Sequence, residues 1–240
     1  MRLWELVKEA IWPHRTMCLC CGKPSRGGHL CAACEEALEA RRIRGAVCPV
    51  CGHALDRHGC SFCGGQGTIT MRAAWIYGDE ARDLVHVLKY GAVAAAAQVM
   101  ATGMAEAAQG LRLPPDTVIT WPTMPSGRRL ERGIDHGALL AEALGERLRL
   151  PVKELLARSD TIAREEQAGR SGSERRTRLK GAFTAVERVN GPVLLVDDVL
   201  TTGSTATACA ECLLEAGATR VSVVTAAQTQ RQQIKRKGRV

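Results

Sequence analysis

Eight cysteines fall into four Cys-x-x-Cys pairs within the first 63 residues: Cys18/Cys21, Cys31/Cys34, Cys48/Cys51 and Cys60/Cys63. No other feature restricts the folding of this chain so strongly. A Cys-x-x-Cys turn presents two sulfurs from one tight knuckle, and a second knuckle completes a tetrahedral zinc site. The knuckles of each half are separated by nine and eight residues, and Gly22 and Gly52 follow the first knuckle of each half. Two such units side by side predict a double zinc ribbon holding two structural Zn²⁺ ions. We take the pairing as sequential, with a cross-braced pairing left open. Few apolar residues stand in this block, so metal is expected to supply its folding energy. Four thiolates per ion leave no open coordination position, which argues for structure rather than catalysis. Cys20 reads as a bystander thiol. His29, His53 and His58 could replace a cysteine, but the spacing does not need them. Cys209 and Cys212 form a fifth pair inside a helical pattern, where they are expected to pack as small apolar side chains, with a redox pair as the alternative reading.

The composition changes after "GGQG" at 64–67, which reads as a boundary. Three parts are expected: residues 1–67, an N-terminal helix over Leu3–Trp12 followed by the cysteine block; residues 68–230, an α/β domain; and a basic tail, 231–240. Between 68 and 230, "TMRAAWIYG", "TVITWPTMP", "PVLLVDDV" and "RVSVVTAAQT" read as strands, and "PVKELLARS" holds another. Helical patterns over "DEARDLVHVLKYG", "AVAAAAQVMATGMAEAAQG", "GALLAEALGERLRL" and Thr205–Ala216 alternate with them. This alternation implies parallel βαβ units, and the unbroken apolar run "PVLLV" fits a central strand covered on both faces. No period is evident in the Arg-rich stretch from Ser159 to Lys180.

The opening segment carries Glu5 and Glu9 and no small-residue cleavage site, so it does not read as a secretory signal. No apolar run is long enough to span a membrane. A reducing, cytoplasmic setting is therefore expected, which also disfavours disulfides. The formal net charge of +8 permits phosphate-rich partners without requiring them.

The chemistry concentrates in "VLLVDDVLTTGST", residues 193–205. Ligands of open parallel sheets bind beyond the carboxyl ends of the strands. Asp197 and Asp198 come at such an end, and Thr201, Thr202, Gly203, Ser204 and Thr205 lead into a helix. A helix start favours an anion, Gly203 permits close backbone approach, and four hydroxyls add donors. This is a cradle for a monophosphate, and two acids beside it suit vicinal ribose hydroxyls or a hydrated Mg²⁺. No G-x-x-x-x-G-K-[ST] is present to bind a triphosphate. A receiver domain would not need the hydroxyl cradle, and a plain helix cap explains one hydroxyl rather than four.

That stretch resembles the PRPP-binding motif of type I phosphoribosyltransferases. Together with the four knuckles it makes the chain similar to the ComF family, a likeness covering nearly the whole chain. It extends to "LKYG" at 88–91, "WPTMPSGRRLERGIDH" at 121–136 and "REEQAGRSGSERRTRLKGAF" at 164–183. The resemblance implies a type I phosphoribosyltransferase-like parallel sheet with flanking helices behind the zinc ribbons. It implies Asp197 and Asp198 at the ribose hydroxyls and Thr201–Thr205 at the 5′-phosphate. Ser126, Arg128 and Arg129 would stand on the pyrophosphate side, with Arg132 as a catalytic contributor. The stretch 159–180, with Arg164, Arg175 and Arg176, would close over the site. Two departures stand out: the family's RGFNQ is Arg132-Gly133-Ile134-Asp135-His136 here, and Arg178 replaces an Asn. Lys89 could reach the site or be exposed on its helix.

Two functions follow as expectations. One is a Mg²⁺- and PRPP-dependent phosphoribosyltransferase with an unidentified acceptor. The other is a non-catalytic single-stranded DNA-binding protein whose PRPP-like site senses a ligand or grips a phosphate. The resemblance implies a link to DNA uptake and its machinery. Stacking aromatics are few, with Phe62, Trp75, Tyr77 and Tyr90 as candidates.

Overall fold

The computed structural model describes residues 15–55, 57–60, 62–91, 93–124, 134–158 and 181–230. The expected N-terminal helix, the arginines within 125–133, the Arg-rich stretch 159–180 and the basic tail lie outside these residues.

The cysteine-rich segment is built twice over. Strands β1 (Arg15–Met17) and β2 (Pro24–Arg26) form an antiparallel hairpin around the first knuckle, with Met17 opposite Pro24. Thirty residues further on, Val47 pairs with Ala54 in the same way around the third knuckle. The hydrogen bonds repeat as well: Cys18 N to Lys23 O and Cys48 N to His53 O, each at 2.8 Å. Gly22 and Gly52 close the two turns with φ of 66° and 71°, a region open to glycine at little cost. The units diverge at their second knuckles. Cys31 and Cys34 sit at the start of helix α1 (Ala32–Ala40), whereas Cys60 and Cys63 lie in turns.

The remainder holds a four-stranded parallel sheet. Its strands are β3 (Thr70–Ile76), β4 (Val118–Thr120), β7 (Gly191–Leu200) and β8 (Ala218–Gln228), in the order β3-β8-β7-β4. Every pairing is parallel. Helices α2 (Asp79–Gly91), α3 (Ala94–Gln109), α4 (His136–Leu148) and α5 (Ser204–Glu215) supply the crossovers. A strand buried on both faces needs apolar residues at every position, and "PVLLV" provides them. Leu194 and Val196 pack with α2, α3 and α4 on one face, while Val193 and Leu195 pack with α5 on the other. The predicted alternation of strands and helices over a parallel sheet is therefore present. In the stretch "PVKELLARS", Val152 makes a parallel bridge to Ile119 of β4, while the strand that forms, β5 (Leu156–Arg158), lies outside this sheet. It pairs antiparallel with β6 (Phe183–Ala185), a strand the sequence pattern did not reveal.

Close packing explains two local choices. A Cβ on Gly103 of α3 would lie 2.3 Å from the Trp75 indole, so glycine lets that helix close on β3. Asp135 caps α4, its Oδ1 accepting from Gly137 N (2.9 Å) and Ala138 N (3.3 Å), while Trp121 Nε1 donates to its Oδ2 (3.1 Å). The acid that stands in the RGIDH segment thus has a local structural job in this chain.

Candidate functional site

β7 runs through both acids to Leu200 rather than ending before them. Successive side chains of a strand point to opposite faces. Asp198 accordingly joins the α2–α4 face, where Lys89 Nζ lies 2.7 Å from its Oδ2 and His136 Nε2 lies 3.8 Å away. Asp197 belongs to the α5 face; its Oδ1 accepts from Asp198 N at 2.8 Å. Burial, then the charge of Asp198, pushes Asp197 up to about 7, with Lys89 and Arg158 pulling the other way. Burial alone would lower the Lys89 ammonium, but the charge and hydrogen bond of Asp198, helped by Asp197, outweigh it and raise it. Lys89 thus reaches the acids. It follows Leu88, the fully buried end of the apolar stripe Ala81, Leu84, Val85 and Leu88 that fixes α2 on the core.

The five residues Thr201–Thr205 form an exposed to half-buried loop and the first turn of α5. Gly203 is the N-cap residue with φ of 76°, a conformation that strains other residues, and no side chain caps the helix. Thr202 Oγ1 and Ser204 Oγ lie 2.8 Å apart, and Ser204 N donates to Thr202 Oγ1 at 3.4 Å. The arrangement offers hydroxyls, a glycine-permitted bend and the N–H groups of a helix start at one point, the first of them shared with Thr202 Oγ1. β4 ends at the same edge of the sheet, since Thr120 pairs with Leu195, so Trp121–Met124 emerge beside the acids. Ser126, Arg128, Arg129 and Arg132 follow in sequence and lie outside the described residues.

The eight knuckle cysteines gather into two quartets, Cys18/Cys21/Cys31/Cys34 and Cys48/Cys51/Cys60/Cys63, the sulfurs of each within 4.8 Å of one another. The sequential pairing is the one the fold adopts. Zinc–sulfur bonds of about 2.3 Å place the sulfurs of a tetrahedron about 3.8 Å apart. The separations are 3.7 Å for Cys21–Cys31, 3.6 Å for Cys48–Cys63 and 3.4 Å for Cys51–Cys60. These are far beyond a disulfide bond of about 2.05 Å. Burial opposes charge on Cys18 and Cys60. Backbone N–H groups nonetheless bring both down to about 6, whereas burial raises Cys34, Cys51 and Cys63 of the same quartets. Both quartets fit structural zinc.

The other candidates near the quartets stay apart from them. Cys20 bonds to Glu80 O at 3.7 Å and is pushed up to about 12 by burial and by neighbouring negative groups. His53 is buried, stacks on Phe62 with ring centroids 3.9 Å apart, and belongs to neither quartet. Cys209 is fully buried and Cys212 half-buried on α5.

A cavity of about 320 Å³ opens between the second quartet and the Thr201–Thr205 loop. Val50, Cys51 and Phe62 line one wall, and Thr202, Gly203 and Glu211 the other. Sequence reasoning missed Met71, which lines this cavity, and Gln228 and Thr229, whose hydrogen bonds to Gly52 and to Leu200 link the two regions. Arg158, beside Asp197, was missed too. The polar end of the apolar strand "RVSVVTAAQT" was the available signal, because buried Gln228 and Thr229 must find partners. Among the described residues no helix is long and apolar enough to cross a membrane.

No family model matches the chain. It is 31% identical over 221 residues to the DNA utilization protein YhgH of Escherichia coli O157:H7, covering 86% of this chain and 94% of that protein. It is 31% identical over 224 residues to the protein of the same name from Salmonella typhimurium, with the same shares covered. Among solved structures, it is similar to the orotate phosphoribosyltransferase from Aeropyrum pernix, with 18% identity, 65% of this chain and 71% of that one covered, and a TM-score of 0.37. It is also similar to the glutamine phosphoribosylpyrophosphate amidotransferase from B. subtilis, with 24% identity, 54% and 26% covered, and a TM-score of 0.35.

Proposed function

The chain belongs to the ComF family, that of the DNA utilization protein YhgH, and from that premise we propose that it binds PRPP or a related ribose 5-phosphate with Mg²⁺ and transfers the phosphoribosyl group to an acceptor. One observation carries the reading. The strand that bears Asp197 and Asp198 feeds a helix start that is opened by Gly203 and lined with hydroxyls. A 5′-phosphate suits the helix start, and ribose hydroxyls suit the carboxylates a few residues before it.

In this reading the bond from the anomeric carbon to pyrophosphate breaks, and its electron pair leaves with the pyrophosphate. The acceptor forms the new bond and gives up a proton. Thr201, Thr202, Ser204 and Thr205 hold the phosphate with Gly203, and the acids orient the ribose. Lys89, 2.7 Å from Asp198 Oδ2, neutralises that carboxylate and would turn to a ligand oxygen when the carboxylate turns to a hydroxyl. Mg²⁺, held by the carboxylates and by ligand oxygens, would supply charge for the leaving group. Ser126, Arg128, Arg129 and Arg132 are assigned to the pyrophosphate by family likeness, and Arg164, Arg175 and Arg176 to closure over the site.

The test is pyrophosphate release from PRPP and Mg²⁺ with a panel of bases, amines and oligonucleotides. Release that depends on one acceptor class supports transfer; no release with any of them removes it.

A second reading makes the chain a single-stranded DNA-binding protein with a ligand-sensing pocket. The net charge of +8 and the relatives' name, DNA utilization protein, support it. Gel-shift binding that falls steeply with salt is its expected outcome. Absence of binding at low salt would remove it.

A further inference from the structure

We propose that the second cysteine quartet positions the phosphate-cradle loop, so that metal occupancy of that quartet, and not of the first, sets affinity for a ligand carrying a 5′-phosphate. Its ligand arm rests on the ribose 5-phosphate reading; its structural arm does not.

Two struts run from the quartet to the loop. The first passes through β3. Val50 O, between the two knuckle cysteines, accepts from Met71 N at 2.6 Å. A Cβ on Gly52 would come within 2.6 Å of Met71 O, so knuckle and strand touch backbone to backbone. The Met71 side chain continues to the loop, where its sulfur would lie 3.8 Å from a Cβ on Gly203. The second strut passes through the end of β8. Gln228 Nε2 donates to Gly52 O at 3.3 Å, and His53 Nε2 lies 3.3 Å from Thr229 O. Thr229 N then donates to Leu200 O at 3.0 Å, and the Thr229 hydroxyl lies 3.5 Å from Thr201 O.

These linking side chains are buried: His53, Gln228 and Thr229 are 8%, 4% and 5% exposed. Buried polar groups keep their partners or leave a group unsatisfied, so a shift at one end is carried to the other. The four sulfurs of the second quartet fix the turn that bears Val50, Gly52 and His53. Without a metal that turn has no core of its own to hold it.

The first quartet is attached elsewhere. Its unit docks through Arg41, which pairs with Asp79 (2.5 Å) and Glu80 (2.9 Å), and through Ile43 N to Ala74 O and Ile76 N to Arg41 O. These contacts end on β3 and the first turn of α2. The two quartets therefore make an internal comparison: similar chemistry, different attachment.

The test uses the full chain with Cys60→Ser/Cys63→Ser against Cys31→Ser/Cys34→Ser. Three quantities are read: zinc per chain, amide hydrogen exchange over 201–207 without ligand, and calorimetric affinity for PRPP with Mg²⁺. Each variant is expected to lose one zinc. Only the second-quartet variant should speed exchange over 201–207 and weaken PRPP binding, each by about tenfold, as when hydrogen bonds that hold a loop are lost. Equal effects from the two variants, or unchanged exchange in the second, would overturn the proposal. His53→Leu gives the same reading if the cysteine variants misfold. It should keep both zincs and speed exchange at 201–207, while His53→Gln, which retains a donor, restores the slow rate; unchanged exchange in His53→Leu also overturns it. Wild-type chain that binds no PRPP sinks the ribose 5-phosphate reading, and exchange alone then decides the coupling.

Discussion

Lys89 Nζ lies 2.7 Å from Asp198 Oδ2 and joins the last turn of α2 to the strand that carries the acid pair. Asp198 is nearly buried, at 8% side-chain exposure, and Lys89 is partly exposed at 29%. A buried carboxylate left without its cation is costly, and the partial exposure of the lysine softens that cost. Lys89→Met should therefore destabilise the fold by about 1–3 kcal/mol. Asp198→Asn should cost less, and the double variant should recover about 1 kcal/mol of coupling in a cycle of urea denaturation curves. Strict additivity of the two variants would contradict a functional ion pair.

Asp197 gives a pH signature. Its carboxyl is raised to about 7, chiefly by burial and next by the charge of Asp198. A ribose hydroxyl or Mg²⁺ needs the carboxylate, so binding must release the proton below that pH. Affinity for PRPP should fall as pH drops from about 8 to about 6, by up to tenfold per pH unit at the steepest. Asp197→Asn should remove this slope while leaving the titration of the ligand's own phosphates. The sign reverses for stability. The folded-state value lies above the ordinary carboxylate value of 3.8, so the fold holds the proton more tightly. This group's contribution to stability is therefore lost as pH rises from about 4 to about 7.

Elemental analysis should find two zinc ions per chain. Removing them with a strong chelator should unfold the segment around the quartets and leave the parallel sheet, whose core is independent of the sulfurs, still folded. Cys20, pushed up to about 12, should resist alkylation at pH 8 in the native protein. A third zinc, or rapid labelling of Cys20, would contradict the assignment.

Gly103→Ala tests the packing of α3 on β3. The new Cβ would lie 2.3 Å from the Trp75 ring, so helix or indole must move. Thermal unfolding should show a loss of about 1–3 kcal/mol, despite alanine's better helix propensity. A neutral or stabilising outcome would mean that the helix and strand are not in register as described.

Local chemistry was the legible part of this molecule. The cysteine spacing announced both quartets because each knuckle is complete within four residues. The run "VLLVDDVLTTGST" announced its strand, its acids and the hydroxyl-lined helix start because they are consecutive. Long-range partners were not legible. Nothing in "LKYG" tells Lys89 from a solvated helix lysine until α2 is docked over β7. β6 is three residues long, too short for a period, and it exists because Leu156–Arg158 pairs with it. Asp135 stood out only as part of the departure from RGFNQ and proves to be the cap of α4 and the partner of Trp121. The struts from the second quartet to the loop join residues up to 176 positions apart, at His53–Thr229. Only the closed fold reveals such a connection.

The central claim is that the end of β7 and the start of α5 form a ribose 5-phosphate site, and calorimetric titration with PRPP and Mg²⁺ tests it most directly. The wild-type chain should bind PRPP with a measurable heat, and Asp197→Asn/Asp198→Asn should abolish that binding while keeping both zinc ions and the wild-type unfolding transition. Undiminished binding by the double variant, or no binding by the wild-type chain, would contradict it.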